Sequence, residues 1–158
     1  IYAFSAYDFA RGVVAARSGD VSAAEAQARR LQARSDAARA NAVGVVASRY
    51  DSVTPVELEQ GQILATALEG AILFAQGKRD DGLDRVRKAI ARADSMAFEY
   101  GPPYSVKPLD ELLGDLLLTA GKPAAAAAAY RKTLAAHPDR RLAVAGLNAA
   151  LGAELPDG

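Results

Sequence analysis

A glycine spacing that occurs three times most constrains what this chain can fold into. The segments GVVAARSGD, GAILFAQGK and GDLLLTAGK each place six mostly apolar residues between two glycines and then continue into a helix-forming stretch. The second glycines, Gly19, Gly77 and Gly121, are expected to end helices with positive φ, where glycine carries no steric penalty. The spacing therefore predicts three pairs of helices joined by tight turns.

The first glycine of each segment lies inside a predicted helix, where glycine is less favourable than alanine by about 0.5–1 kcal/mol. A cost repeated at the same offset indicates close helix–helix contact, with the following helix supplying another small residue. Alanines 124–129 favour a helix, and their small side chains leave room for the neighbouring helix to approach closely. The predicted contacts pair Gly12 with Ala24, Gly70 with Gly82, and Gly114 with Ala126.

Composition and charge narrow the possible functions. The 158 residues include no cysteine, which excludes disulfides, thiolate zinc sites and cysteine nucleophiles. Lysine plus arginine balances aspartate plus glutamate at 19 each, which argues against nucleic acid or an anionic membrane as the main partner. No apolar run is long enough to insert into a membrane. The compartment stays open, either cytoplasmic or exported.

The repeated segments resemble the tetratricopeptide repeat, a helix–turn–helix unit that stacks into a right-handed superhelix. The third copy matches best, with Gly114, Ala126, Tyr130 and Pro138 at the places that the repeat uses. The amino-acid sequence of most of the chain is also similar to the C-terminal region of larger bacterial multi-repeat proteins. The resemblance implies an all-α superhelix of three helix pairs with a C-terminal capping helix. It also implies binding of a protein or peptide through the concave face.

The predicted organisation is a single domain, 1–158, interpreted as a fragment of a longer protein. TPVE at 54–57 predicts a helix start, with a threonine cap and a glutamate three residues later. Two insertions separate the helix pairs. The first, 36–53, is expected to hold a short helix and a loosely held connector, and the second, 95–108, is too rich in proline and glycine for a helix. The units are 2–35, 54–94 and 108–137, followed by the capping helix at 140–152.

The candidate binding residues are those that the resemblance places on inward-facing surfaces. Glu111 and Asp115 share one helix face and predict attraction for a basic peptide, with a solvated helix face as the alternative. Tyr100, Tyr104 and Lys107 form a candidate lip in the second insertion, with packing between units as the alternative. The predicted groove residues are Phe9, Val13, Ala71, Phe74, Glu111, Asp115 and Leu118.

Residues that carry catalytic chemistry are not evident in the sequence. The glycine segments differ from phosphate loops, which have four residues between their glycines and open a helix. His137 and the arginines late in the second helices are interpreted as complements of the helix dipole. The prediction is a non-enzymatic module without cofactor or metal, which can form homo-oligomers through exposed end faces. The alternative is a purely structural cap of a longer superhelix whose functional site lies upstream.

Overall fold

A computed structural model describes residues 2–44, 54–96 and 106–154, and the regular elements in these ranges are all α-helices. Helices adjacent in sequence pack as pairs, in agreement with the predicted all-α helical-repeat fold. The chain divides into two compact units, unit 1 (Ile1–Val106) and unit 2 (Lys107–Gly158). The helices are α1 (Tyr2–Arg17), α2 (Val21–Gly44), α3 (Pro55–Ala75), α4 (Arg79–Asp94), α5 (Leu109–Thr119), α6 (Pro123–Ala136) and α7 (Arg141–Glu154).

Glycine turns close the three helix pairs α1–α2, α3–α4 and α5–α6. Gly19, Gly77 and Gly121 have φ values of 81°, 86° and 71°. The N–H of Gly77 donates to the Phe74 carbonyl at 3.0 Å, and the next N–H donates to the Leu73 carbonyl at 3.0 Å. This pair of bonds is the Schellman pattern, and it recurs at the other two turns. The predicted turns are confirmed.

The start of α3 is fixed by the predicted capping box. The N–H of Glu57 donates to the Thr54 hydroxyl at 3.2 Å, and the N–H of Thr54 donates to the Glu57 carboxylate at 2.9 Å. Pro55 follows the cap in the first turn of the helix. A backbone N–H at this position has no acceptor within the helix, so proline, which lacks the N–H, loses no hydrogen bond there. These interactions satisfy backbone donors at the helix start that the α-helix itself leaves unpaired.

The helix α2 runs to Gly44 and is longer than predicted. Leu31, Ser35 and Ala38 form a buried stripe along it, and the Ser35 hydroxyl donates to the Leu31 carbonyl at 3.1 Å. Residues 36–44 therefore continue α2, whereas the sequence predicted that α2 ends near 34 and that a separate short helix and a connector occupy 36–53. Alanine and serine give little hydrophobic contrast in the sequence, although they suit a close helix contact.

We expect amide hydrogens of residues 36–40 to exchange nearly as slowly as those of 21–35. Both segments belong to one continuous helix with buried side chains, so opening either one exposes packed surface. Native-state hydrogen exchange followed by mass spectrometry would measure this. Exchange at 36–40 as fast as in an unstructured peptide would contradict the continuous helix. The rest of the first insertion, 45–53, lies outside the described residues.

The contact between Gly70 and Gly82 has the predicted geometry. A methyl group placed on Gly82 would lie 2.6 Å from the Gly70 carbonyl oxygen, and one placed on Gly70 would lie 2.8 Å from the Gly82 carbonyl oxygen. Both distances are shorter than any real contact of such a carbon. The backbones of α3 and α4 therefore touch directly at this pair.

The other two interior glycines have different neighbours from those predicted. A methyl group on Gly12 would meet the side chain of Leu68 on α3 at 2.6 Å. One on Gly114 would meet the ring of Tyr130 at 2.8 Å. The predicted partners, Ala24 and Ala126, are fully buried but are not the nearest groups. A bulky side chain from a neighbouring helix occupies each gap left by the missing Cβ.

The two units have separate cores. In unit 1, the largest fully buried side chains lie on all four helices, and the buried carboxylate of Asp8 accepts a 2.7 Å hydrogen bond from Arg34. In unit 2, α7 packs against both α5 and α6. The largest fully buried apolar side chains are Phe9, Leu31, Leu68, Leu83 and Val86 in unit 1, and Leu112 and Tyr130 in unit 2.

Candidate functional site

Four of the predicted groove residues belong to the core of unit 1. On α1, Phe9 and Val13 are 1% and 2% exposed. On α3, Ala71 and Phe74 are 2% and 8% exposed, and the guanidinium of Arg79 lies 5.8 Å from the centre of the Phe74 ring. Side chains this deeply buried have almost no surface left for a ligand. In this structure they stabilise unit 1 instead of lining an open groove.

The acidic pair of α5 is part of an internal ion cluster. The Glu111 side chain is fully buried, and it accepts hydrogen bonds from Arg140 Nε at 2.6 Å and from Lys107 Nζ at 2.8 Å. Lys107 Nζ also lies 2.8 Å from a carboxylate oxygen of Asp115. The Tyr130 hydroxyl donates to the other oxygen of Asp115 at 2.7 Å. We call Lys107, Glu111, Asp115, Tyr130 and Arg140 the α5 ion cluster.

The charges in the α5 ion cluster compensate one another. Burial raises the pKa of Glu111, but the hydrogen bonds and charges of Arg140 and Lys107 outweigh burial and hold that pKa below its ordinary value. The hydrogen bond to Glu111 raises the pKa of Arg140. Two carboxylates thus face two cations, so the cluster presents little negative charge to a basic peptide. The solvated-face alternative is wrong for Glu111, whose carboxylate has no contact with solvent.

The candidate lip has a different arrangement from the one expected. Lys107 is folded onto α5, where its side chain is only 13% exposed. Tyr100 and Tyr104 lie outside the described residues. Leu118, the remaining predicted groove residue, is half-buried on α5. Lys107 therefore belongs to the α5 ion cluster and does not form an exposed lip.

Tyr130 is seated between two glycines of unit 2. A methyl group on Gly114 of α5 would lie 2.8 Å from a ring carbon of Tyr130, and one on Gly146 of α7 would lie 2.8 Å from its hydroxyl oxygen. The two glycines thus leave room for the ring, and the hydroxyl reaches Asp115. Sequence reasoning identified Gly114 and Tyr130 but missed Gly146, although a glycine inside the amphipathic α7 is itself a signal of close packing.

An open groove of about 450 Å³ lies on unit 1 between α2 and α3. We call it the α2–α3 groove. Its lining combines small alanines with long polar side chains, none of which the sequence analysis selected for binding. The only sequence signal was the series of arginines in α2, which was interpreted as a dipole complement. The lining residues are Ala28, Arg29, Gln32, Arg39, Gln62, Ala65, Thr66, Glu69 and Arg92.

Two charged residues of the groove are engaged by neighbouring side chains. Glu69 pairs with Arg85, whose Nη2 lies 2.6 Å from the carboxylate. Arg92 donates to both carboxylate oxygens of Glu59 and to Gln62 Oε1 at 2.7 Å. The hydrogen bond from Arg92 lowers the pKa of Glu59. These contacts neutralise Glu69 and Arg92 locally.

The two arginines that α2 contributes to the groove are less engaged. Arg29 lies 3.9 Å from Glu25, and both side chains are largely exposed. Exposed ion pairs of this kind contribute about 0–1 kcal/mol. Among the described residues, no side chain forms a hydrogen bond or ion pair with Arg39. The groove therefore retains positive charge on its α2 side.

Two helices also carry exposed apolar side chains on the side away from their unit's core. On α1, Tyr7 and Val14 are 55% and 68% exposed, and Arg11 donates to the Tyr7 hydroxyl at 3.0 Å. On α7, the exposed side chains include Leu142 and Val144. Tyr7 and Val14 are seven residues apart and share one face of α1, whereas Leu142 and Val144 are two residues apart and lie on different sides of α7. Val144 also lines an open depression of about 580 Å³ with Asp139, Arg141 and Asn148.

Neither a metal site nor a membrane-spanning helix is evident in the described part of the chain. Within the described ranges, no group of three or more histidine, cysteine, aspartate or glutamate side chains could hold a metal ion. Over the same residues, no helix combines the length and apolar character needed to cross a bilayer. Comparison of the chain with protein-family models, with curated proteins and with solved structures found no match.

Proposed function

We propose that the chain is a non-enzymatic protein-interaction module built from tetratricopeptide-like helix pairs, and that it binds a partner segment in the α2–α3 groove. The observation that carries this proposal is the groove itself. The amides of Gln32 and Gln62 supply donors and acceptors for a peptide backbone, and Ala28 and Ala65 leave room for the chain. The repeated turns and the Gly70–Gly82 contact support the repeat assignment.

The size of the groove suits a short segment. Its volume of about 450 Å³ is within the range of ligand-sized clefts, about 300–1,000 Å³. The hydroxyl of Thr66 donates to the Gln62 carbonyl within α3 at 2.8 Å, so it is not poised as a nucleophile. The lining side chains are therefore suited to hydrogen bonding and charge pairing.

A second candidate function is structural, with α1 packing against another helix to extend or cap a helical stack. The exposed side chains of Tyr7 and Val14 favour it, since they lie on the face of α1 opposite the unit 1 core. A purely structural role predicts that the α2–α3 groove has no ligand. The same binding measurement therefore distinguishes the two functions.

The test is selection of peptides from a random display library on the full chain, followed by binding measurements on groove variants. We expect Ala65→Trp to weaken the selected peptides roughly tenfold or more, because the indole fills space that the peptide needs. Ala149→Trp, on the exposed side of α7, is the matched control and should bind normally. Circular dichroism would verify that both variants fold. Failure to enrich any peptide, or equal binding by Ala65→Trp, would overturn the proposal.

A further inference from the structure

We infer that the α2–α3 groove selects an acidic, extended peptide segment with two carboxylate side chains about four residues apart. The inference rests on the proposed function and adds the chemical class of the partner. It depends on Arg29 and Arg39, which line the same groove from one helix. This charge preference is opposite to the preference for basic peptides that the sequence predicted for Glu111 and Asp115.

The first step is the charge of the groove. Its lining holds three arginines and one glutamate. Arg92 and Glu69 are held by partners outside the lining, Glu59 and Arg85. Arg29 and Arg39 are left with exposed guanidinium groups, which present planar sets of N–H donors that match a carboxylate. The rim on the α2 side is therefore complementary to acidic side chains, although the whole chain has no net charge.

The second step is the spacing of the two arginines. They are ten residues apart on α2 (39 − 29 = 10), which corresponds to about 15 Å along the helix axis. An extended peptide advances about 3.3 Å per residue, so two carboxylates that reach both guanidinium groups are about four to five residues apart. Gln32 lies between the arginines and offers its side-chain amide to the intervening backbone.

Nucleic acid fits the groove less well than an acidic peptide. Single-stranded nucleic acids are commonly held by aromatic side chains on which the bases stack, and the groove lining contains none. The carboxylate of Asp36, which accepts a 2.9 Å hydrogen bond from Gln32, lies between Arg29 and Arg39 in the α2 sequence and would repel a continuous row of phosphates. Two localised carboxylates placed beside Arg29 and Arg39 avoid this repulsion.

The test uses fluorescein-labelled peptides that carry two glutamates, two lysines or two glutamines separated by three uncharged residues. Binding to the full chain would be followed by fluorescence anisotropy at low and at physiological salt. We expect the glutamate peptide to bind at least about tenfold more tightly than the other two at low salt, and salt to reduce this difference. A peptide with adjacent glutamates should bind a few-fold more weakly, because it reaches only one guanidinium.

The decisive variant is Arg29→Gln/Arg39→Gln, which should weaken the glutamate peptide roughly tenfold. The matched control, Arg30→Gln/Lys88→Gln, removes the same charge at exposed positions outside the groove and should stay within about twofold of the wild type. Equal losses in the two double variants would overturn the assignment to the groove. Tighter binding of a fluorescein-labelled oligothymidine than of the glutamate peptide, lost in the arginine variant, would replace the acidic peptide by nucleic acid.

The outcomes separate this inference from the proposed function. Library peptides that depend on Ala65 but show no preference for acidic residues would overturn the acidic class and leave the interaction module intact. Failure of every peptide to bind would overturn both. A glutamate preference that depends on Arg29 and Arg39 supports both.

Discussion

Gly82→Leu is expected to lower the free energy of unfolding of unit 1 by about 3 kcal/mol, at the upper end of the usual range for overpacking. Even the first carbon of the new side chain would lie 2.6 Å from the Gly70 carbonyl oxygen and 2.7 Å from the Phe74 nitrogen. Both are backbone atoms, so α3 and α4 must separate. Gly12→Leu should be less damaging, since the obstructing atoms are the methyl groups of Leu68, which can rotate away.

Urea unfolding followed by circular dichroism would measure the effect. Gly152→Leu is the control, because an added Cβ would have no neighbour within 4 Å beyond the adjacent backbone of its own helix. That substitution should stabilise α7 by about 0.5 kcal/mol or more, through the better helix propensity of leucine. A Gly82→Leu variant as stable as the wild type would contradict the backbone contact between α3 and α4.

Glu111→Gln is expected to destabilise unit 2 by about 3 kcal/mol, at the low end for removal of one partner from a buried ion pair. The neutral amide leaves the Arg140 guanidinium without its carboxylate, although Lys107 keeps Asp115. The estimate is at the low end because the Arg140 side chain is 27% exposed, so water can replace part of the lost interaction.

Urea unfolding would give the size of the loss, and hydrogen exchange in α5 would assign it to unit 2. Asp84→Asn breaks an exposed ion pair with Arg87 on α4 and should change stability by no more than about 0.5 kcal/mol. The double variant Glu111→Gln/Arg140→Gln should lose less than the sum of the single losses, since both remove the same contact. Additive losses would show that the two side chains act independently.

Acid should reproduce the loss of the Glu111 charge. The pKa of Glu111 is lowered in the folded chain, so its contribution is fully present above its ordinary value of 4.5. That contribution disappears as pH falls through the folded pKa, where the carboxylate becomes protonated. As pH falls below the ordinary value of 4.5, wild-type stability should therefore fall more steeply than that of Glu111→Gln. Parallel curves would contradict the depressed pKa.

The parts of the fold that the sequence predicted well are those set by local backbone chemistry. Gly19, Gly77 and Gly121 were identified because a positive φ at a helix end favours glycine regardless of the rest of the molecule. The start of α3 was evident because Thr54 and Glu57 satisfy the helix by themselves. The long α2 was missed because its continuation is marked only by small side chains.

The candidate sites were harder to predict because they depend on contacts between distant parts of the chain. Glu111 looked exposed in sequence, since its partner Arg140 comes 29 residues later, after α6, and Lys107 belongs to a proline-rich stretch. Phe9 and Phe74 were assigned to a groove, yet an alanine-rich chain has few bulky side chains and its core takes most of them. The α2–α3 groove arises only when α2, α3 and α4 assemble.

Backbone contact at Gly70 and Gly82 has an evolutionary consequence for this hairpin. Where two helices meet through side chains, the distance between the helix axes changes when those side chains are substituted. The exposed surfaces that the helices carry then move as well. Here the separation of α3 and α4 is set by main-chain atoms, which mutation elsewhere does not alter. Positions such as Gln62 and Glu69 can therefore diversify while the scaffold keeps its shape. The two glycines are therefore under strong steric constraint, whereas the outward-facing positions of the hairpin are not.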